Sequence, residues 1–168
     1  MVRITLPDGR VREYPSAVTG MQLAEDISGR LGKEALSVTV DGVVWDLTRP
    51  IDHDAQVRVN TWSDEAGRRT YWHSSAHLLA EALEELYPGI RLGIGPSIEN
   101  GFYYDIDFGD YKVTEEDLPK IEAKMLEHAK AAEPIVRRDV SKAEALATYK
   151  AKGDPYKVDL IDGLADGT

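Results

Sequence analysis

Residues 38–47 read Val-Thr-Val-Asp-Gly-Val-Val-Trp-Asp-Leu. Val38 and Val40 lead into Asp41-Gly42, a strong signal for a two-residue hairpin turn, and Val43 to Leu47 supplies the return strand. Upstream, Thr19 and Gln22 stand at capping-box spacing. They open a helix with Leu23, Ile27 and Leu31 on one face, ending near Gly32. Before that helix Val2, Ile4 and Leu6 alternate, Pro7-Asp8-Gly9 is turn chemistry, and Val11 and Tyr14 belong to a second short strand. Beyond the hairpin, Val57 and Val59 mark a last strand. Strand, strand, helix, strand, strand, strand within residues 1–62 predicts a small sheet with one helix packed across it. That is a β-grasp, or ubiquitin-like, module.

The chain has 168 residues, room for one domain or two small ones. Its 42% apolar and 30% charged residues place it among globular proteins. No apolar run is long enough to cross a membrane, and the N-terminus lacks a secretory pattern. Cysteine is absent, which removes disulfides and thiolate metal sites. Net charge is −10, of which residues 1–62, with seven basic and nine acidic side chains, carry −2. Binding of nucleic acid by bulk electrostatics is thereby disfavoured. Any RNA contact should be local, or most of its affinity should come from elsewhere.

Residues 63–70 are polar without an apolar period and read as a linker or the approach to a helix. Residues 71–87, Tyr-Trp-His-Ser-Ser-Ala-His-Leu-Leu-Ala-Glu-Ala-Leu-Glu-Glu-Leu-Tyr, are rich in helix formers and stop at Pro88-Gly89. At helical spacing Trp72, Ala76, Leu79, Leu83 and Leu86 form a narrow apolar stripe. His73 and His77 fall one turn apart on its flank, with Ala80 and Glu84, where a cleft lining would lie. Two neutral imidazoles so placed can share a metal, hold a water or orient a substrate. They can equally be partly buried helix histidines with ordinary hydrogen bonds. A zinc-protease pattern needs glutamate where Ser74 stands, and a closed zinc site needs more ligands than two histidines. No metal is therefore expected, His73 and His77 being the only candidates.

Further along, Asn100-Gly101 signals a hairpin turn between two strand-like segments. Tyr103 and Tyr104 alternate in the second, so one should face the core. Gly93, Gly95 and Gly101 lack the spacing of a phosphate loop, and turn geometry accounts for them better. Thr114 and Asp117 cap a helix carrying Leu118, Ile121, Met125 and Ala129, which Pro134 ends. The acidic face from Glu115 to Glu127 reads as solvated surface. Ser141 and Glu144 cap a shorter helix reaching Gly153, and Pro155 to Ile161 reads as one more strand.

A β-grasp module of the TGS type, then His-Ser-Ser-Ala-His-Leu-Leu-Ala at 73–80, then Gly-Ile-Gly-Pro-Ser-Ile-Glu-Asn-Gly-Phe-Tyr-Tyr-Asp at 93–105, closely resembles the N-terminal region of the bacterial threonyl-tRNA synthetase family. The resemblance covers essentially the whole chain. It implies an α+β architecture: a TGS-like β-grasp domain at 1–62 and a partial α+β editing domain at 63–168. In that family the second domain hydrolyses seryl-tRNA wrongly made on threonine tRNA. The resemblance implies catalytic roles for His73, His77 and Lys157, and a substrate-lining role for Tyr104. For Lys157 a solvated strand lysine is the alternative, and for Tyr104 core packing. The family pattern continues with a Cys-x-x-x-His facing the two histidines, which these residues lack. The expectation is thus an editing domain cut short at Thr168 and inactive alone. ATP, magnesium and zinc are implied only for the aminoacylation domain of the parent, with none in this segment. The implied partner is the acceptor end of tRNA(Thr), in the cytoplasm and with no membrane; the parent is expected to be a homodimer and this segment a monomer. TGS modules also occur in GTPases and stringent-response enzymes. A non-enzymatic regulatory or tRNA-docking module, and a free-standing trans-editing hydrolase, therefore stay open as alternatives.

Overall fold

The structure, a computed structural model, describes residues 1–165; Thr168, where the sequence stops, lies outside the described residues. The chain divides into two compact units, Met1–Trp72 and His73–Thr168. Among the described residues no helix is long and apolar enough to cross a membrane.

The first unit runs β1 (Val2–Thr5), β2 (Val11–Tyr14), β3 (Val18–Thr19), α1 (Gly20–Ile27), α2 (Gly29–Glu34), β4 (Ser37–Val40), β5 (Val43–Trp45), β6 (Pro50–Ile51) and β7 (Ala55–Asn60). Its five-stranded sheet has the order β2-β1-β7-β4-β5. β1 and β7 run parallel, with Ile4 opposite Ala55, and the remaining pairs are antiparallel. This is the expected β-grasp, with β7 inserted between the two hairpins. Ile4, Leu23, Val38 and Ile51 are fully enclosed in one core, each burial worth about 1.5–3 kcal/mol. Asn60, also buried, donates through Nδ2 to Ser37 Oγ (3.1 Å) and Thr39 Oγ1 (2.9 Å). Its amide thus satisfies the polar side chains of the neighbouring strand instead of leaving them orphaned.

Local chemistry explains where this unit departs from the sequence expectation. The helix predicted to reach Gly32 is two helices. Ser28 is extended (φ −166°, ψ 146°), closes α1 through its N–H and caps α2 by accepting from Leu31 N–H at 3.0 Å. The return strand ends at Trp45, not Leu47, because Asp46 Oδ1 accepts from the N–H groups of Thr48 and Arg49, each at 2.9 Å. The short pair β3–β6 was not signalled in the sequence.

A long helix, α3 (Glu65–Leu86), carries the chain from the first unit into the second. Then follow β8 (Arg91–Leu92), β9 (Ser97–Ile98), β10 (Gly101–Phe102), β11 (Ile106–Asp107), a 3-10 turn (Glu115–Asp117), α4 (Leu118–Ala131), α5 (Lys142–Lys152) and α6 (Pro155–Asp162). Residues 63–70 thus hold the first turn and more of α3. The apolar stripe is broader than expected: Ala76 and Leu83 are buried as predicted, but so are Ala80 and Ala82. β9 and β10 form the expected hairpin, one residue early. Glu99 and Asn100 make the turn, and Gly101, at φ +144°, pairs with Ile98. Tyr103 and Tyr104 lie just past β10, not within a strand; Tyr103 is exposed and Tyr104 half-buried.

The largest correction is at 155–161, where the predicted strand is α6. Asp154 caps it, Oδ1 accepting from Lys157 N–H at 3.0 Å, and Pro155 takes a first-turn position that needs no N–H. Lys157 is therefore a helix residue, not a strand lysine. Elsewhere in this unit Asp117 gathers four donors. Its carboxylate accepts from Tyr87 (3.1 Å) and Tyr111 (2.7 Å) hydroxyls and from the N–H (2.9 Å) and Oγ1 (3.2 Å) of Thr114. Lys124 of α4 reaches Glu85 of α3 at 2.7 Å.

Candidate functional site

Four residues on a turn are enough for α3 to place His73 and His77 side by side. Their Nε2 atoms are 3.0 Å apart and the rings meet edge to face, centroids 4.6 Å apart at 88°. One proton occupies such a contact: one imidazole donates and the other accepts with a bare nitrogen. Both residues are exposed at their outer edges. Burial of part of the His77 ring lowers its pKa, and the neighbouring charges of His73 and Lys157 lower it further. His77 is thereby held neutral near pH 7.

Lys157 comes from α6. Its Nζ donates to the carbonyl of Gly93, just past β8, at 2.9 Å. β8 pairs with β11, and the ladder continues through Gly93 N–H to Asp105 O (2.8 Å) and Asp105 N–H to Ile94 O (3.0 Å). The ammonium is thus anchored on a backbone that two strands fix. Tyr156 adds a second tie from α6 to the same ladder, its hydroxyl 3.3 Å from Asp107 Oδ2.

Tyr104 lies over Gly95. A Cβ built on Gly95 would stand 2.4 Å from the Tyr104 ring, so only glycine allows this approach. Burial raises the phenol pKa, and the carboxylates of Glu84 and Asp154 raise it further. The structure therefore brings His73 and His77 into contact, while Lys157 is anchored on Gly93 and its charge acts on His77. Tyr104 is joined to the group through Gly95 and Asp154; among the described residues it forms no hydrogen bond with either imidazole. An open hollow of about 920 Å³ is lined by Gly93, Tyr104, Asp105, Tyr156 and Leu160 among others. It adjoins the site at Gly93 and Tyr104, but the histidines are not part of its wall. Among the described residues no group of three or more His, Cys, Asp or Glu is placed to hold a metal ion.

Two features escaped the sequence reading. Gly93 and Gly95 are not in the left-handed region, unlike Gly101. Turn geometry, the expected reason for all three, holds only for Gly101; Gly95 makes room for a ring and Gly93 offers its carbonyl to Lys157. Asp154 was not singled out either, although Asp-Pro ahead of a helix is a start signal.

By strand order the first unit is a β-grasp domain, and the family described as "TGS domain" matches residues 2–61. The chain as a whole is similar to the N-terminal region of threonine–tRNA ligases. It is 55% identical to the threonine–tRNA ligase of Parabacteroides distasonis over 168 residues, all of this chain and 26% of that relative. The corresponding enzymes of Bacteroides fragilis and Porphyromonas gingivalis are each 54% identical, over 99% and 100% of this chain and 26% of their own length. The chain thus spans about a quarter of the length of these relatives.

Proposed function

We propose that these residues form the N-terminal part of a threonine–tRNA ligase, and that the second unit contributes to its proofreading by hydrolysing serine esterified to threonine tRNA. The observation that carries the reading is the pair of ε nitrogens 3.0 Å apart on one face of α3. Hydrolysis needs a water oriented and deprotonated as it attacks the ester carbonyl, and a proton delivered to the ribose oxygen as the C–O bond breaks. His73 holds the substrate or the water. His77, neutral at physiological pH, orients the water or the ribose hydroxyl. Lys157 stabilises the negative charge on the carbonyl oxygen, and Tyr104 lines the pocket. The chemical need is clear: one methyl separates threonine from serine, and a binding pocket gains only about 1–3 kcal/mol from it.

In this reading the partner is the acceptor end of tRNA(Thr), in the cytoplasm. ATP, magnesium and zinc serve the aminoacylation part, and the parent is a dimer. The test compares seryl-tRNA(Thr) hydrolysis by the 168-residue chain and by a version extended to the length of its relatives. The extended protein should clear serine, and the short chain should stay near the uncatalysed rate, because the ester is then contacted from one side only. An extended protein that leaves seryl-tRNA intact would remove the reading.

A further inference from the structure

Lys157 is held at both of its ends. Its Nζ donates to the Gly93 carbonyl at 2.9 Å, and its own backbone N–H donates to Asp154 Oδ1 at 3.0 Å. A lysine stem is long and flexible, and its ammonium is a point charge with rotatable donors. Such a charge keeps one position only when the backbone beneath it is fixed as well.

That backbone is the first turn of α6. The helix has only eight residues, a length at which a helix depends on its surroundings and its caps. Pro155 opens it and has no N–H to satisfy. Asp154 then takes the N–H of Lys157, the residue whose side chain leaves for Gly93. Asp154 is half-buried and is itself fixed. Gly153 turns the chain in the left-handed region at φ +70°. The Asp154 N–H donates to the Tyr149 carbonyl of α5 at 3.1 Å, and its carbonyl accepts from Val158 N–H at 3.2 Å. The far end of α6 is tied to α5 too, where Lys142 Nζ donates to the carbonyls of Asp162 and Leu164, both at 2.8 Å. α5 thus carries α6 at both ends, and the cap sets where its first turn points.

We propose that Asp154 is a positioning residue of the site: by capping α6 through the N–H of Lys157, it holds the Lys157 ammonium at the Gly93 carbonyl. That this ammonium serves ester hydrolysis rests on the proposed function; the placement itself does not. The cap and not the charge of Asp154 carries the effect. Asparagine accepts through the same oxygen and keeps the cap, whereas alanine removes it.

The test uses NMR on the 168-residue chain, following the carbonyl carbon signal of Gly93 and the titration of His77. Asp154→Ala should shift the Gly93 signal. It should also raise the His77 pKa, as Lys157→Met does, because the ammonium that helps to lower it withdraws; burial remains and keeps the value below 6.5. Asp154→Asn should leave both signals as in the unaltered chain. Ser141→Ala removes the cap of α5, where Oγ accepts from Glu144 N–H at 3.2 Å. It should move neither signal, so a general loss of helix stability reads differently from a loss of aim. In the protein extended to the length of its relatives, Asp154→Ala should lower kcat for serine clearance by about threefold to a hundredfold, the upper end being the cost of a misplacement of about 1 Å. KM should change little, and Asp154→Asn should restore the rate. An extended protein that clears no serine would remove the proposed function, while the NMR result would still decide the placement. Unchanged Gly93 and His77 signals in Asp154→Ala would overturn the proposal. So would an Asp154→Asn chain that behaves like the alanine variant, or a Ser141→Ala chain that moves both signals as far.

Discussion

At the scale of single residues, glycines and charges do more than their size implies. Gly67 lies in the first turns of α3, and a Cβ there would stand 2.0 Å from the carbonyl oxygen of Thr61. Backbone cannot rotate away as a flexible side chain can. Gly67→Ala should therefore cost about 1–3 kcal/mol, read as a lowered midpoint of thermal unfolding; an unchanged midpoint would show that the loop yields freely. His77 titrates under two influences that can be separated. Burial is the main reason its pKa is low, and the Lys157 charge is a further one. Lys157→Met should raise the His77 pKa in an NMR titration while leaving it below the ordinary 6.5, because burial remains. No change would place the ammonium away from the ring. The histidine pair itself was legible in the sequence, since spacing on a helix fixes a shared face without knowledge of the fold. The Gly93 carbonyl was not legible, since a backbone oxygen has no letter. Nor was the fit of Tyr104 over Gly95, which depends on two segments meeting.

At the scale of elements, the β-grasp could be read because turn residues and alternation specify each hairpin locally. α6 was misread because Val158 and Ile161 are β-branched and the segment is short. The cap at Asp154 outweighs that propensity. The Asp117 junction shows how such local chemistry sets pH dependence. The Thr114 N–H and the Tyr111 hydroxyl hold the Asp117 carboxyl down at about 2, and the same bond pushes the Tyr111 phenol up to about 12. A carboxyl lowered from 3.8 contributes stability that is full above about 4 and is lost as pH falls toward 2. A phenol raised from 10.0 contributes stability that is full below about 10 and is lost as pH rises toward 12. Asp117→Asn should flatten both limbs of the pH–stability curve of the second unit. A curve unchanged at both ends would show that the junction is not an energetic contact.

At the scale of the whole molecule, charge distribution governs what the chain can bind. With −10 overall and −8 of it beyond residue 62, phosphate is repelled except where a local feature offsets the field. The 168-residue chain should bind tRNA(Thr) weakly, with a dissociation constant above about 1 µM at physiological salt. Sub-micromolar binding would mean that the acidic surface is shielded or that several contacts act together. Family resemblance at 73–80 and 93–105 indicated the relatives before any fold was seen, and identity above 50% across the chain agrees with it.

If His73 and His77 act in serine clearance, as proposed, the decisive measurement is seryl-tRNA(Thr) hydrolysis in the protein extended to the length of its relatives. His73→Ala and His77→Ala should each reduce the hydrolysis rate at least tenfold while threonine charging stays near that of the unaltered protein. If both variants clear serine at the full rate, the two imidazoles are structural and the claim fails.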